Sequence, residues 1–226
     1  MSDQLLVFDM DGVLVDVTES YRETIQRTVE HFTGRRIPRE EIQDWKNRGG
    51  WNDDWALSHR LIGEAGVTVA YQAVVDYFNS IFHGNGSDGL ILRERWIAAD
   101  GLFEKLGNDF QLAVFTGRLR WEAELTLHRC APELRFAPIV GCDDVTRPKP
   151  APEGLLKICT ECQPKKRWYI GDTVDDARCA REAGVPFIGI AARSNPRYQE
   201  LVRVLKAESA IAILDDINQL PAVVNG

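Results

Sequence analysis

Short apolar runs recur along the chain, separated by helix-patterned segments: Leu5 to Phe8, Leu112 to Phe115, Trp168 to Ile170, Phe187 to Ile190 and Ile211 to Leu214. Such runs suit strands buried on both faces, and strands alternating with helices imply a parallel sheet. The interval between the first two runs is too long for one crossover and carries helical periodicity without a strand, so it reads as an insertion. Within it Tyr21, Ile25, Thr28, Val29 and Phe32 share one helical face, which Gly34 and then Pro38 terminate. Ile62, Val69, Val74, Tyr77, Phe78 and Ile81 continue the pattern, Trp45, Trp51 and Trp55 cluster between, and Gly84 to Gly89 reads as a flexible return linker. The expected architecture is an α/β core of residues 1–15 and 93–226 carrying a helical cap of residues 16–92, with hinges near Asp16 and at Gly84 to Gly89.

Composition narrows the function more than the fold. The 226 residues, 44% of them hydrophobic, suffice for one core with a modest insertion. A net charge of −7 without any run of Lys or Arg argues against nucleic acid and anionic membranes as partners. No apolar run approaches the roughly 18 residues of a membrane span, and the first residues lead into a strand without an apolar signal segment. Five cysteines, an odd number, suggest a reducing cytoplasm. Cys159 and Cys162 have the spacing of half a zinc site, but no second pair completes it, and helix packing is the expected role. The four histidines show no ligand spacing.

Candidate chemistry gathers at the strand ends, where parallel α/β sheets bind ligands. The first run delivers Asp9-Met10-Asp11-Gly12, two carboxylates before a residue that permits a sharp turn. The second ends on Thr116-Gly117-Arg118, which offers a hydroxyl and free amides to an anion, or merely caps a helix. Three prolines hold Lys149 in Arg147-Pro148-Lys149-Pro150-Ala151-Pro152, either as a solvated loop lysine or as a cation placed beside carboxylates or phosphate. The third run delivers Gly171-Asp172-Thr173-Val174-Asp175-Asp176. A helix dipole accommodates one of these acids; the others, together with Asp9 and Asp11, need a cation, and oxygen-only ligands favour Mg²⁺.

These four motifs, in this order and at these intervals, resemble the haloacid dehalogenase superfamily, in the subgroup with an α-helical cap inserted after the first motif. The resemblance runs the full length and implies a three-layer Rossmann-like core. It further implies that Asp9 is the nucleophile of an aspartyl-phosphate mechanism and Asp11 the acid/base. Mg²⁺ would be held by Asp9, Asp11 (through its backbone carbonyl) and Asp172; Thr116, Gly117 and Lys149 would bind the phosphoryl group, with Asp176 and then Asp175 behind them.

Asp11 argues against the dehalogenases of the superfamily, which differ at that position. A cap lysine serves phosphonate-cleaving relatives as a Schiff base, but Lys46 is expected to be solvated. Relatives carry a specificity loop where this chain has residues 46–55, so Arg48, Trp51, Asn52 and Asp53 are candidates for substrate recognition, against a reading in which Asn52 or Asp53 caps a helix and the tryptophans fill the cap core. Arg118 replaces a common asparagine and would reach substrate or phosphate, or pair with an acid. The expected function is a Mg²⁺-dependent phosphatase for a small phosphorylated metabolite, acting as monomer or homodimer. A phosphomutase, or a non-catalytic metabolite-binding module on the same fold, are the alternatives.

Overall fold

The computed structural model describes residues 2–224. Strand β1 (Gln4–Phe8) lies at the centre of a six-stranded sheet. A two-residue strand β2 (Val15–Asp16) leads to four helices, α1 (Tyr21–Thr33), α2 (Arg39–Arg48), α3 (Asp54–Glu64) and α4 (Tyr71–Phe82). The chain returns through β3 (Arg95–Trp96) and alternates from there: α5 (Leu102–Asp109), β4 (Gln111–Phe115), α6 (Arg120–Cys130), β5 (Ile139–Val140), α7 (Glu153–Cys162), β6 (Lys166–Gly171), α8 (Val174–Ala183), β7 (Phe187–Ile190), α9 (Tyr198–Ala207), β8 (Ala212–Leu214) and α10 (Pro221–Val224).

The sheet order is β5-β4-β1-β6-β7-β8, every pairing parallel. All five expected strands form. The period of two along β1 makes three layers: Leu6 and Phe8 pack with Phe103, Leu106 and Leu127 of α5 and α6, while Leu5 and Val7 face Leu155, Ala180 and Leu205 of α7, α8 and α9. Strand order reverses about β1, so the carboxyl ends of β1, β4 and β6 meet at one crevice.

The α1 pattern behaves as its spacing predicts. Ile25 and Val29 are fully buried, each contributing about 1.5–3 kcal/mol as an upper range. Gly34 ends the helix in the left-handed conformation, its amide donating to the Glu30 carbonyl at 2.8 Å. Helices α1, α3 and α4 pack on one another, whereas α2 leans on α8 and α9.

Gly84 to Gly89 forms a turn closed by Asp88 Oδ1 accepting from the Asn85 amide at 2.7 Å. The chain then crosses at β3, which pairs antiparallel with β2, Val15 opposite Trp96 and Asp16 opposite Arg95. The two crossings are therefore one ribbon. Cys159 and Cys162 sit in α7 as free thiols, and among the described residues no helix is long and apolar enough to cross a membrane.

Candidate active site

The end of β1 is fixed by its neighbour: the Asp9 amide donates to the Ile170 carbonyl at 2.7 Å. Beyond it the chain doubles back, with the Met10 carbonyl accepting from Leu14 at 2.9 Å and Val15 at 3.1 Å. Gly12 makes this possible. Its φ is +74°, and a Cβ there would lie 2.2 Å from Asp172 Oδ2, so only glycine lets the loops after β1 and β6 approach this closely.

Lys149 joins the two loops. Its Nζ donates to Asp9 Oδ1 and to Asp176 Oδ1, each at 2.7 Å, and all three groups are buried. Asp176 also accepts from the Tyr169 hydroxyl at 2.7 Å, and its other oxygen accepts from the Thr173 amide and hydroxyl while the Asp176 amide donates back to Thr173 Oγ1, a reciprocal cap on α8. With Oδ1 so held, no donor among the described residues reaches Asp9 Oδ2.

The electrostatics follow from this crowding. Burial, with repulsion from Asp176 and Asp11 added, pushes the Asp9 carboxyl up to about 7 against the pull of Lys149. Asp172 is held well above its ordinary range by burial and then by Asp9. Burial alone would raise Asp176 too, but the Lys149 charge and its three hydrogen-bond donors hold it below. Lys149 stays a cation because the charges of Asp176 and Asp9 outweigh its own burial.

Asp9, Asp172 and Asp176 each place an oxygen within 4.8 Å of the other two. Asp172 Oδ1 is buried without any hydrogen-bond partner. An orphaned buried carboxylate oxygen, in a set of oxygen-only donors beside Asp9, fits a hard divalent cation such as Mg²⁺.

A cavity of about 220 Å³ lies over this cluster, lined at its floor by Asp9, Asp11, Gly117, Arg118, Lys149 and Asp172. Its outer wall comes from the helical insertion: Tyr21, Arg22, Lys46, Asn52, Asp53, Asp54, Trp55 and Phe78.

Several expected residues take other places. Thr116 is buried and not part of the lining; its Oγ1 accepts from the Arg118 amide at 3.2 Å. Arg48 is exposed and stacks over the Trp45 ring at 4.4 Å, and Trp51 packs edge-on against Trp45 at 5.0 Å, so neither reaches the cavity and the aromatic pair serves packing instead. Asn52 and Asp53 do line it, although Asp53 also caps α3, accepting from the amides of Trp55 and Ala56. Lys46, expected in solvent, is buried in an ion pair with Asp54 and faces the cavity. Asp175 lies away from the carboxylate cluster; both its oxygens accept from the Gly50 amide, at 2.7 and 2.9 Å, which ties α8 to the loop after α2. Arg118 pairs with acids, donating from Nε to Asp11 Oδ1 at 2.7 Å and to Glu94.

Sequence reasoning missed Tyr169, Glu94 and Arg22. The alternation along β6 contained a signal for Tyr169, a residue on a buried face whose hydroxyl needs a partner. Nothing around Glu94 distinguishes it from a surface acid.

Comparison with known proteins agrees with this geometry. A family model described as haloacid dehalogenase-like hydrolase matches residues 6–190. A protein of Phytophthora nicotianae named imidazoleglycerol-phosphate dehydratase is 34% identical over 196 residues, covering 83% of this chain but 43% of its own length, so the chain spans less than half of that relative. A phosphoglycolate phosphatase of Psychrobacter arcticus is 24% identical over 97% of this chain and 95% of its own. Among solved structures, phosphatase Tt82 from Thermococcus thioreducens superposes with a TM-score of 0.66 at 27% identity, covering 89% of this chain and 99% of that one. With the match running from β1 through β7 and so taking in every motif of the carboxylate cluster, the chain belongs to the haloacid dehalogenase-like hydrolase family.

Proposed function

We propose that the protein is a Mg²⁺-dependent phosphatase of small phosphorylated metabolites that works through an aspartyl-phosphate on Asp9. The observation that carries this reading is the asymmetry of Asp9: Oδ1 is pinned by Lys149, and Oδ2 is left free at the cavity floor. A carboxylate so held attacks phosphorus with one oxygen while the other stays neutralised. Asp9, Asp172 and the Asp11 carbonyl would hold Mg²⁺, which would supply the positive charge an anionic substrate needs beside an anionic nucleophile.

The remaining steps use the chain's own groups. Asp11 protonates the departing alkoxide, and its carboxylate then takes a proton from the water that hydrolyses the phosphoaspartate. Lys149 and the Gly117 amide face the phosphoryl oxygens. Helices α1–α4 act as the cap, closing the cavity from above and excluding bulk water.

Phosphate release is the test, measured with and without chelator on phosphoglycolate, pyrophosphate, sugar phosphates, amino-alcohol phosphates and an imidazole-bearing alcohol phosphate; the first and last follow the names of the relatives above. Metal-dependent release lost in Asp9→Asn supports the proposal. Full turnover in Asp9→Asn overturns it, and isomer conversion without release assigns the chain to the phosphomutases.

A further inference from the structure

Arg118 and Glu94 form an ion pair that is buried on both sides, at 1% and 0% side-chain exposure. The guanidinium donates from two nitrogens to the two Glu94 oxygens, at 3.0 and 2.7 Å, and its Nε reaches Asp11 Oδ1. One cation is thus shared between a fully buried acid and the partly exposed Asp11 on the cavity floor. Glu94 is itself held from two directions, accepting from Ser20 Oγ at 3.1 Å and from Thr126 Oγ1 at 2.8 Å. The Tyr21 ring packs on the guanidinium at 4.9 Å. Ser20 and Tyr21 open the helical insertion and Glu94 immediately precedes β3, so residues from both ends of the insertion converge on this ion pair.

We infer that Glu94 is a positioning residue that, through Arg118 on Oδ1, orients the Asp11 carboxyl so that its other oxygen, when protonated, gives its proton to the departing alkoxide. The inference rests on the acid/base reading of Asp11 and adds what orients it. A bidentate guanidinium has little rotational freedom, so the carboxylate bound to its remaining edge inherits that order.

The test separates proton donation from general damage by varying the leaving group. Alkyl phosphates need a proton on departure, whereas p-nitrophenyl phosphate does not, and kcat/KM reports steps up to phosphoryl transfer in both cases. In Glu94→Gln, kcat/KM for the best alkyl substrate is expected to fall about tenfold, part of the full general-acid contribution, with a loss on p-nitrophenyl phosphate several times smaller. Arg118→Lys keeps the charge, loses the fork, and gives the same selective pattern. Parallel losses on both substrates, or none, in either variant overturn the inference, since a merely structural contact has no preference among leaving groups. Asp11→Asn run beside them distinguishes the two levels. If it spares the alkyl substrate, the acid/base reading itself is wrong; if it shows the selective loss and the clamp variants do not, only the clamp is wrong.

Discussion

Replacing Lys149 by methionine tests the electrostatic core of the site. Methionine is close to lysine in shape but carries no charge, leaving Asp9 and Asp176 buried without a cation between them. At 2.7 Å each carboxylate gains about 6 kcal/mol from the ammonium in a medium of effective dielectric near 20, much of it spent on desolvating the three groups. Removing one partner of a buried pair exposes that desolvation cost, about 3–5 kcal/mol. For a chain of this size each kcal/mol moves the melting temperature by about 2–4 °C, so Lys149→Met should melt about 6–20 °C below the parent in chelator. Mg²⁺ should raise the variant's melting temperature more than the parent's, because the carboxylates then lack their other cation. Asp176→Asn on the Lys149→Met background should recover part of the loss, a coupling readable in a double-mutant cycle by differential scanning calorimetry. Melting within about 2 °C of the parent, or strictly additive single losses, would show that Lys149 does not neutralise the two acids.

Two further outcomes follow from the geometry. Gly12→Ala sets a Cβ against Asp172 Oδ2 at a positive φ, costing about 1–2 kcal/mol in backbone strain, and should raise the Mg²⁺ concentration needed for half-maximal activity; an unchanged Mg²⁺ titration contradicts the close approach. Asp9 titrates near 7 when folded and near 3.8 when unfolded, so in chelator the folded state keeps a proton that the unfolded chain has lost, and this site's contribution to stability falls as pH rises through that window. The shift at Asp176 runs the other way but lies below 3.8, outside the window. Cation binding needs the ionised carboxylates, so the Mg²⁺-induced rise in melting temperature should be larger at about pH 8 than at about pH 5.5; equal rises at both would be inconsistent with Asp9 as a ligand.

The core was legible because its determinants are local. Leu5 to Phe8 is buried on both faces and so must be apolar throughout, and the acids stand where the strands stop. The outer wall was not, because its contacts join residues whose sequence separation carries no pattern. Lys46 and Asp54 meet through the turn at Gly49 and Gly50, Asp175 finds Gly50 across 125 residues, and Arg118 finds Glu94 only once β3 is paired. Trp51 and Arg48 misled for the opposite reason. Their chemistry suits a ligand, but Trp45, six residues before Trp51 and three before Arg48, offers both a closer partner.

On the proposed mechanism Asp9 carries the phosphoryl group between the two chemical steps. The most direct measurement quenches the enzyme during turnover of its best substrate, reduces it with borohydride and maps the peptides, since an acyl phosphate at an aspartate is converted to homoserine. Homoserine is expected at position 9 in the turning-over protein and in neither Asp9→Asn nor substrate-free controls. Steady turnover with Asp9 recovered intact, or homoserine at another aspartate, would contradict it.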